Sequence, residues 1–345
     1  MEQVLERYRD RLEAVEAEMR ACFPEVAGRL APFYGMMAYH LGWKDAAFRP
    51  VAGRTGKRLR PLLCLLATEA VGGTWQRALP AAAAVELLHN FTLIHDDIED
   101  RSPLRRGRPT VWSVWGIPQA INAGDGLFVL ARMALFRLRE QGFSPETVLQ
   151  AIALLDGAIL RICEGQYLDL SFEGDTEVSE AAYAEMIAAK TAALIEVAMH
   201  LGALVGGGAD REISALRRYA TALGLAFQVQ DDLLGVWGKE EETGKPAAAD
   251  LYNRKLGLPV IHALAHAPAP ERAELAQAYR GEAPLDARTV QRLLEILEGA
   301  GSRRYTEDVA AAYYARALAA LADLPDSPAR RALEEIASLL LGRSA

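Results

Sequence analysis

Between Leu79 and Asp100 the residues Ala82, Val85, Leu88, Phe91, Thr92 and His95 recur at spacings of three and four. That spacing lines them along one face of an α-helix, where positions three or four apart are neighbours. Residues 118–141, 145–170, 179–206, 210–237 and 286–300 repeat the pattern. No segment alternates apolar and polar residues as a half-buried strand does. Ala, Leu, Glu and Arg, all good helix formers, dominate. Hydrophobic residues make up 51% of the chain, enough for a large core, but aromatic residues only 7%, so Leu, Ala, Val and Ile do most of the packing. Gly and Pro cluster at 50–56, 101–109, 171–178, 206–209, 238–249 and 266–270, marking the turns between helices. None of these stretches is long or biased enough to be a domain linker. The expectation is one all-α domain over residues 1–345, with roughly ten or more helices around a central cavity.

The formal charge of -8 argues against a protein that coats nucleic acid, which would be basic. A local basic cluster in such a chain therefore marks a place where anions are wanted. Cys22, Cys64 and Cys163 are far apart, odd in number and without CxxC spacing. They fit a reducing, cytoplasmic setting rather than a disulfide scaffold or a zinc site. The N-terminal MEQVLERYRDRLEAVEAEMR is charged and periodic, unlike a signal peptide. Glu185, Lys190, Glu196 and His200 interrupt the apolar run at 181–206, so no membrane span is expected.

Five constellations bear chemistry. In His95-Asp96-Asp97-Ile98-Glu99-Asp100, Asp96 and Asp100 lie four apart on one helix face with Asp97 beside them. Three clustered carboxylates repel one another unless cations neutralise them. Hard oxygen ligands with open positions suit Mg²⁺, which shares its coordination with phosphates and water. Arg105-Arg106-Gly107-Arg108-Pro109 follows at once, and arginine presents a fork of donors that matches phosphate oxygens. Gly56-Lys57-Arg58-Leu59-Arg60-Pro61, after Arg54, puts four cations ahead of an apolar helix, a setting for anion capture. It lacks the spacing of a nucleotide-binding P-loop. Phe227-Gln228-Val229-Gln230-Asp231-Asp232 is a second acidic pair in an apolar helix, followed by Gly244-Lys245-Pro246, Asp250 and Arg254-Lys255. Lys190-Thr191 lies within another apolar helix. Acidic helix, turn, basic residues thus occurs twice, as a metal-clamped diphosphate requires. His262 and His266, spaced like a metal-binding pair, read as structural.

These motifs resemble those of the trans-isoprenyl diphosphate synthases, also called polyprenyl synthetases, and most of all the short-chain geranylgeranyl diphosphate synthases. The matching stretches are GKRLRP (56–61), HNFTLIHDDIEDRSPLRRGRPT (89–110), KT (190–191), FQVQDD (227–232) and GKPAAAD…RK (244–255), in family order over about residues 50–260. The resemblance implies an isoprenoid-synthase helical bundle with a deep central cavity, a homodimer, and three Mg²⁺ per active site. It assigns Asp96 and Asp100 to two Mg²⁺ with Asp97 in support, and Asp231 to a third with Asp232 behind it. Arg105, Lys190, Thr191, Gln228, Lys245 and Lys255 match positions that hold the allylic diphosphate (dimethylallyl, geranyl or farnesyl). Lys57, Arg60, His89 and Arg106 match those that hold isopentenyl diphosphate. The implied reaction ionises the allylic C–O bond, joins the cation to the double bond of isopentenyl diphosphate, and loses a proton.

The chain departs from the family pattern twice. The second motif, usually DDxxD, ends in Gly235, which is expected to weaken catalysis rather than abolish it. Gly257 stands where a Thr often follows the second lysine, which puts the place of Lys255 in question. Phe91 and Thr92, five and four residues before Asp96, match the floor that limits chain growth. One aromatic without a second, and no insertion in the first motif, resembles enzymes that make the C20 product. Farnesyl or longer products are the alternative. A class I terpene cyclase would carry Ser and Glu in its second motif, which this chain lacks. A non-catalytic subunit would tend to have lost the first motif, which is complete here.

Overall fold

The computed structural model describes residues 2–51, 56–238, 247–281 and 283–342. Its helices are α1 (Glu2–Arg7), α2 (Arg9–Ala21), α3 (Ala31–His40), α4 (Leu59–Ala70), α5 (Leu79–Glu99), α6 (Val111–Trp115), α7 (Ile117–Phe136), α8 (Pro145–Ser171) and α9 (Glu180–Ile187). They continue with α10 (Ala193–Gly206), α11 (Asp210–Trp237), α12 (Ala249–Tyr252), α13 (Leu258–His266), α14 (Ala269–Arg280), α15 (Ala287–Gly299), α16 (Ser302–Leu321) and α17 (Pro328–Leu341). The all-α expectation holds. Among the described residues the only sheet is a hairpin, β1 (Leu104–Arg105) antiparallel to β2 (Arg108–Pro109). Two compact units result, one of residues up to Asp156 with Val197–Ile213, the other of Gly157–Glu196 with Ser214 onward.

In the first unit α5 packs most extensively on α7 and also against α2 and α4. Its first half, Pro80 to Leu88, is buried on every side. The Ala81–Ala84 run lets neighbouring helices approach closely there. Pro80 suits the first turn, where its missing N–H costs nothing. Beyond Leu88 exposure rises, and only Asn90, Ile94 and Asp97 stay buried. The helix stops at Asp100, after which Arg101 turns left-handed and Ser102 N–H donates to the Asp97 carbonyl at 2.9 Å. The hairpin then turns on Arg106 and Gly107, both at positive φ (53° and 74°). Two such residues form the tight turn whose twist matches paired strands. Thr110 Oγ1 and Trp112 Nε1 both donate to the Ser102 carbonyl, at 3.0 and 2.9 Å, and close the loop.

In the second unit α13 packs on α14, α15 and α16. One core joins Val236, Leu251, Val260, Leu275, Leu293 and Leu297; another joins Tyr183, Ile187, Val229, Leu258 and Ile261. Between α9 and α10 the backbone makes a π-helical turn at Ala188–Ala192. The helical run Glu180–Gly206 is long and apolar enough to cross a membrane, but 67% of its apolar window is buried within the protein, as in a core helix. His262 and His266 stack their rings at 4.4 Å, and His262 bonds Ser302. Parallel rings do not converge two nitrogens on one ion, so the pair is structural.

Candidate functional site

The last turn of α5 sorts its carboxylates by exposure. Asp96 is half-buried and Asp100 exposed, one turn apart, whereas Asp97 is buried at 1%. The hairpin folds Arg105 back onto Asp97, and Arg105 Nε donates to Oδ1 at 2.7 Å. Asp97 Oδ2 is enclosed and has no partner among the described residues. Burial pushes the Asp97 carboxyl up to about 6, against the pull of Arg105. Asp97 therefore holds Arg105 in place, whereas Asp96 and Asp100 lie nearer the surface. Two oxygen donors one turn apart, with open positions, fit Mg²⁺, which takes one or two carboxylates and completes its shell with phosphate and water. Among the described residues no three His, Cys, Asp or Glu side chains gather into a metal cage of their own.

The basic residues of this unit divide in two. Arg58, held left-handed at φ 50° ahead of α4, is buried and donates to Glu86 at 2.6 Å and Glu16 at 3.1 Å. Burial opposes its charge, but those carboxylates win and raise its pKa. Arg58 is thus a structural ion pair and is not available for anion capture. Arg108 likewise turns away, donating to the Lys44 carbonyl at 2.9 Å. Arg60, His89, Arg105 and Arg106 come together instead. Arg60 Nη1 lies 3.2 Å from His89 Nε2. Because arginine has no acceptor, that imidazole nitrogen accepts, and the ring proton sits on Nδ1. Burial, then Arg60, Arg106 and Arg105, hold the His89 pKa well below its usual value, so the ring is neutral. Arg60 is itself lowered by burial and by Arg106, and its Nε lacks a hydrogen-bond partner among the described residues. The Arg106 guanidinium lies over Gly56. Lys57 is exposed at the same loop. Crowded cations around a neutral donor ring form a receptor for a polyanion.

The second unit assembles a parallel network on α11. Asp231 is exposed and Asp232 buried at 1%. Asp232 Oδ1 accepts from Gln228 at 3.0 Å and Lys255 at 3.2 Å. Its Oδ2 accepts from the Tyr183 hydroxyl at 2.5 Å and the Leu258 N–H at 3.0 Å. A carboxylate offers about four lone-pair sites, and all are used. Asp232 is therefore not a direct metal ligand; it orients Lys255 and Gln228, and Asp231 is the outward carboxylate. Burial works against the Lys255 charge, but Asp232, Asp250 and Asp231 outweigh it and raise its pKa. Gly257 does not displace Lys255. A Cβ there would lie 2.8 Å from Asp232 Oδ2, so glycine is what lets the carboxylate reach the Leu258 N–H. Lys245 lies outside the described residues.

Lys190 and Thr191 sit in the π-helical turn, and such turns recur at functional sites. Lys190 Nζ bonds Asp169 of α8 at 2.5 Å. Thr191 Oγ1 donates to Gln228 Oε1 at 2.8 Å, which joins it to the Asp232 network. In the first unit Phe91 meets His95 edge-on at 4.8 Å, and its ring lies 5.5 Å from Phe128 of α7. Thr92 spends its hydroxyl on the His89 carbonyl at 2.8 Å. Phe91 thus has the second aromatic that its own helix lacks. Sequence reasoning missed Phe128, Tyr183 and Asp169 because each meets its partner only through tertiary packing. It also missed His40, half-buried, whose pKa is held well below its usual value by burial and then by Arg105, Arg106, Arg58 and Arg108.

The Polyprenyl synthetase family model matches residues 43–297 and so spans both units. A geranylgeranyl diphosphate synthase of Mycobacterium tuberculosis is 42% identical over 305 residues, 88% of this chain and 86% of its own length. A (2E,6E)-farnesyl diphosphate synthase of Mycobacterium bovis is 37% identical over 93% of this chain and 89% of its own. The crystal structure of geranylgeranyl pyrophosphate synthetase from Pyrococcus horikoshii superposes with a TM-score of 0.89 at 33% identity, covering 99% of both chains. This chain belongs to the polyprenyl synthetase family.

Proposed function

We propose that this chain is a Mg²⁺-dependent prenyltransferase that joins isopentenyl diphosphate head-to-tail to allylic diphosphates and stops at geranylgeranyl diphosphate. The observation that carries the reading is the convergence of Arg60, Arg105 and Arg106 on neutral His89 beside the outward pair Asp96 and Asp100. A terpene cyclase has no use for such a second anion receptor. In this reading Lys57, Arg60, His89 and Arg106 hold isopentenyl diphosphate. Arg105, Lys190, Thr191, Gln228, Lys245 and Lys255 hold the allylic diphosphate. Asp96, Asp100 and Asp231 are the Mg²⁺ ligands, three ions in all, and Asp97 and Asp232 orient the cations beside them. Mg²⁺, when bound, draws charge from the departing diphosphate.

The allylic C–O bond breaks with its electron pair leaving on the diphosphate, which Arg105, Lys190 and Lys255 stabilise. The double bond of isopentenyl diphosphate forms the new C–C bond, and a proton leaves to the diphosphate. Phe91, about 7–8 Å up the helix from Asp96 at about 1.5 Å per residue, and Phe128 against it stand as the stop for the growing chain. We place the whole of residues 1–345 in one catalytic domain, acting in the cytoplasm as a homodimer. The support for a dimer is a row on α7, Ile117, Ile121, Val129, Met133 and Phe136, all exposed. A row of that kind is the mark of a protein interface. Products made from dimethylallyl and isopentenyl diphosphate with Mg²⁺, identified by mass spectrometry, test the reading. A dominant C20 product is expected. A dominant C15 product would favour a farnesyl synthase, and cyclised hydrocarbon would overturn the reading.

A further inference from the structure

Arg254 and Lys255 are neighbours in sequence, but the fold sends their charges to different places. Lys255 Nζ lies 3.2 Å from the Asp232 carboxylate. Arg254 turns instead to the C-terminal end of α14. Its Nε donates to the Ala278 carbonyl at 2.8 Å, and its Nη2 donates to the Ala283 carbonyl. The last four carbonyls of a helix have no partner within it, and a guanidinium suits them in charge and geometry. Arg254 is therefore a cap on α14. It is also left-handed, at φ 50°, although it is not glycine. Such a conformation persists where the surroundings impose it. The two carbonyls beyond its own turn are the restraint that holds it.

The backbone of the next residue is held on both sides. Lys255 N–H donates to the Asp250 carbonyl at 2.8 Å. The Lys255 carbonyl accepts from the Gly257 N–H at 3.0 Å and from the Tyr279 hydroxyl at 3.3 Å. Tyr279 lies in the last turn of α14, next to Ala278, and is 2% exposed. Its side chain belongs to the core that includes Leu251, Val260 and Leu275. Burial, then Asp250, raises the Tyr279 pKa, so its hydroxyl stays a donor. Adjacent residues of α14 therefore grip adjacent residues of the Arg254-Lys255 pair. A lysine ammonium rides on a flexible four-carbon stem. Fixing the backbone at the base of that stem confines the arc the ammonium can sweep.

We infer that Arg254 and Tyr279 are positioning residues for the allylic diphosphate, acting through the backbone of Lys255. The inference rests on the reading of Lys255 as a cation for that diphosphate. Both residues set the point from which Lys255 reaches. Their effect therefore falls on the allylic substrate and spares isopentenyl diphosphate, whose proposed receptor uses none of these groups.

A double-mutant cycle on the full chain with Mg²⁺ tests this, with KM read separately for geranyl diphosphate and for isopentenyl diphosphate. Tyr279→Phe keeps the ring in its core and removes one oxygen. It is expected to raise KM for geranyl diphosphate by about 2–10-fold, the net contribution of one hydrogen bond, and to leave KM for isopentenyl diphosphate unchanged. Arg254→Gly accepts the left-handed backbone but loses the guanidinium, and is expected to raise the same KM at least as much. In a Lys255→Ala background Tyr279→Phe is expected to add nothing, because residues that act through one shared partner are not additive. A merely structural role would add the same loss in both backgrounds. Parent-like KM in Tyr279→Phe, an equal rise for both substrates, or an equal rise in both backgrounds would overturn the inference. If Arg254→Gly does not fold, Tyr279→Phe decides alone. Lys255→Ala by itself checks the underlying reading. If its KM for geranyl diphosphate matches the parent's, Lys255 is not an allylic cation, and the reading falls together with the inference. If that KM rises while Tyr279→Phe stays parent-like, only the positioning role falls.

Discussion

Each acidic motif divides its work between neighbouring residues. Asp97 and Asp232 are both 1% exposed and each grips a cation, Arg105 at 2.7 Å and Lys255 at 3.2 Å. The residues just before them, Asp96 and Asp231, are the more exposed. A helix makes this unavoidable, since adjacent residues point about 100° apart and only one can face outward. Phe91 shows the same dependence on a neighbour. Its ring leans on Phe128, so under the proposed function the two would share the task of stopping a growing chain. Phe91→Ala and Phe128→Ala are each expected to shift the product beyond C20, and the double variant further than either. Their product distributions, resolved by mass spectrometry, check this. An unchanged distribution in Phe128→Ala would leave Phe91 as a stop without a backing ring.

At the scale of elements, the long helices were legible in the sequence and the short irregularities were not. The stretches 145–170 and 210–237 became helices with ends within one residue of expectation, because their apolar stripes run for many turns. The hairpin has strands of two residues, too short to alternate. The π-helical turn lies in Ala-Ala-Lys-Thr-Ala, a run that favours an ordinary helix. What imposes it is tertiary: α8 crosses the turn at Gly165, where a Cβ would overlap the Lys190 nitrogen and lie 2.7 Å from Lys190 Cα. The acidic and basic motifs of the candidate site were legible because their chemistry is local in sequence. The ion pairs that set Arg58 apart from the other cations of its motif were not legible, because its partners, Glu16 and Glu86, come from two other helices. Gly165→Ala tests the crossing. In an unstrained helix the change would stabilise by about 1 kcal/mol. Here overpacking is expected to cost about 1–3 kcal/mol instead. The metal-free melting temperature should fall, and KM for the allylic diphosphate should rise as Lys190 shifts. A raised melting temperature with unchanged KM would show that α8 does not constrain the turn.

For the molecule as a whole, the crowding of cations has a consequence for folding. His40 and His89 are neutral in the native state, both held well below the usual 6.5 by burial first and then by the arginines around them. In the unfolded chain each takes up a proton as pH falls through about 6.5. The unfolded state then binds up to two protons more than the native state, so stability falls as pH falls. Two such groups give at most about 2.7 kcal/mol per pH unit. Asp97 acts with the opposite sign. Its carboxyl titrates at about 6 in the folded protein, above its unfolded value, so the native state gains one proton below that pH. Because the two titrations overlap, the net difference rises smoothly to about one proton below pH 6, and the slope levels at about 1.4 kcal/mol per pH unit. Urea unfolding of the metal-free protein is therefore expected to show stability falling as pH drops below about 7, with that limiting slope reached near pH 6. Replacing His40 and His89 with Gln should abolish the fall between pH 7 and 5, whatever the variants do to stability at pH 8. The same slope in parent and double variant would place the lost protons on other groups, and the arginine cluster would then not be what keeps these rings neutral.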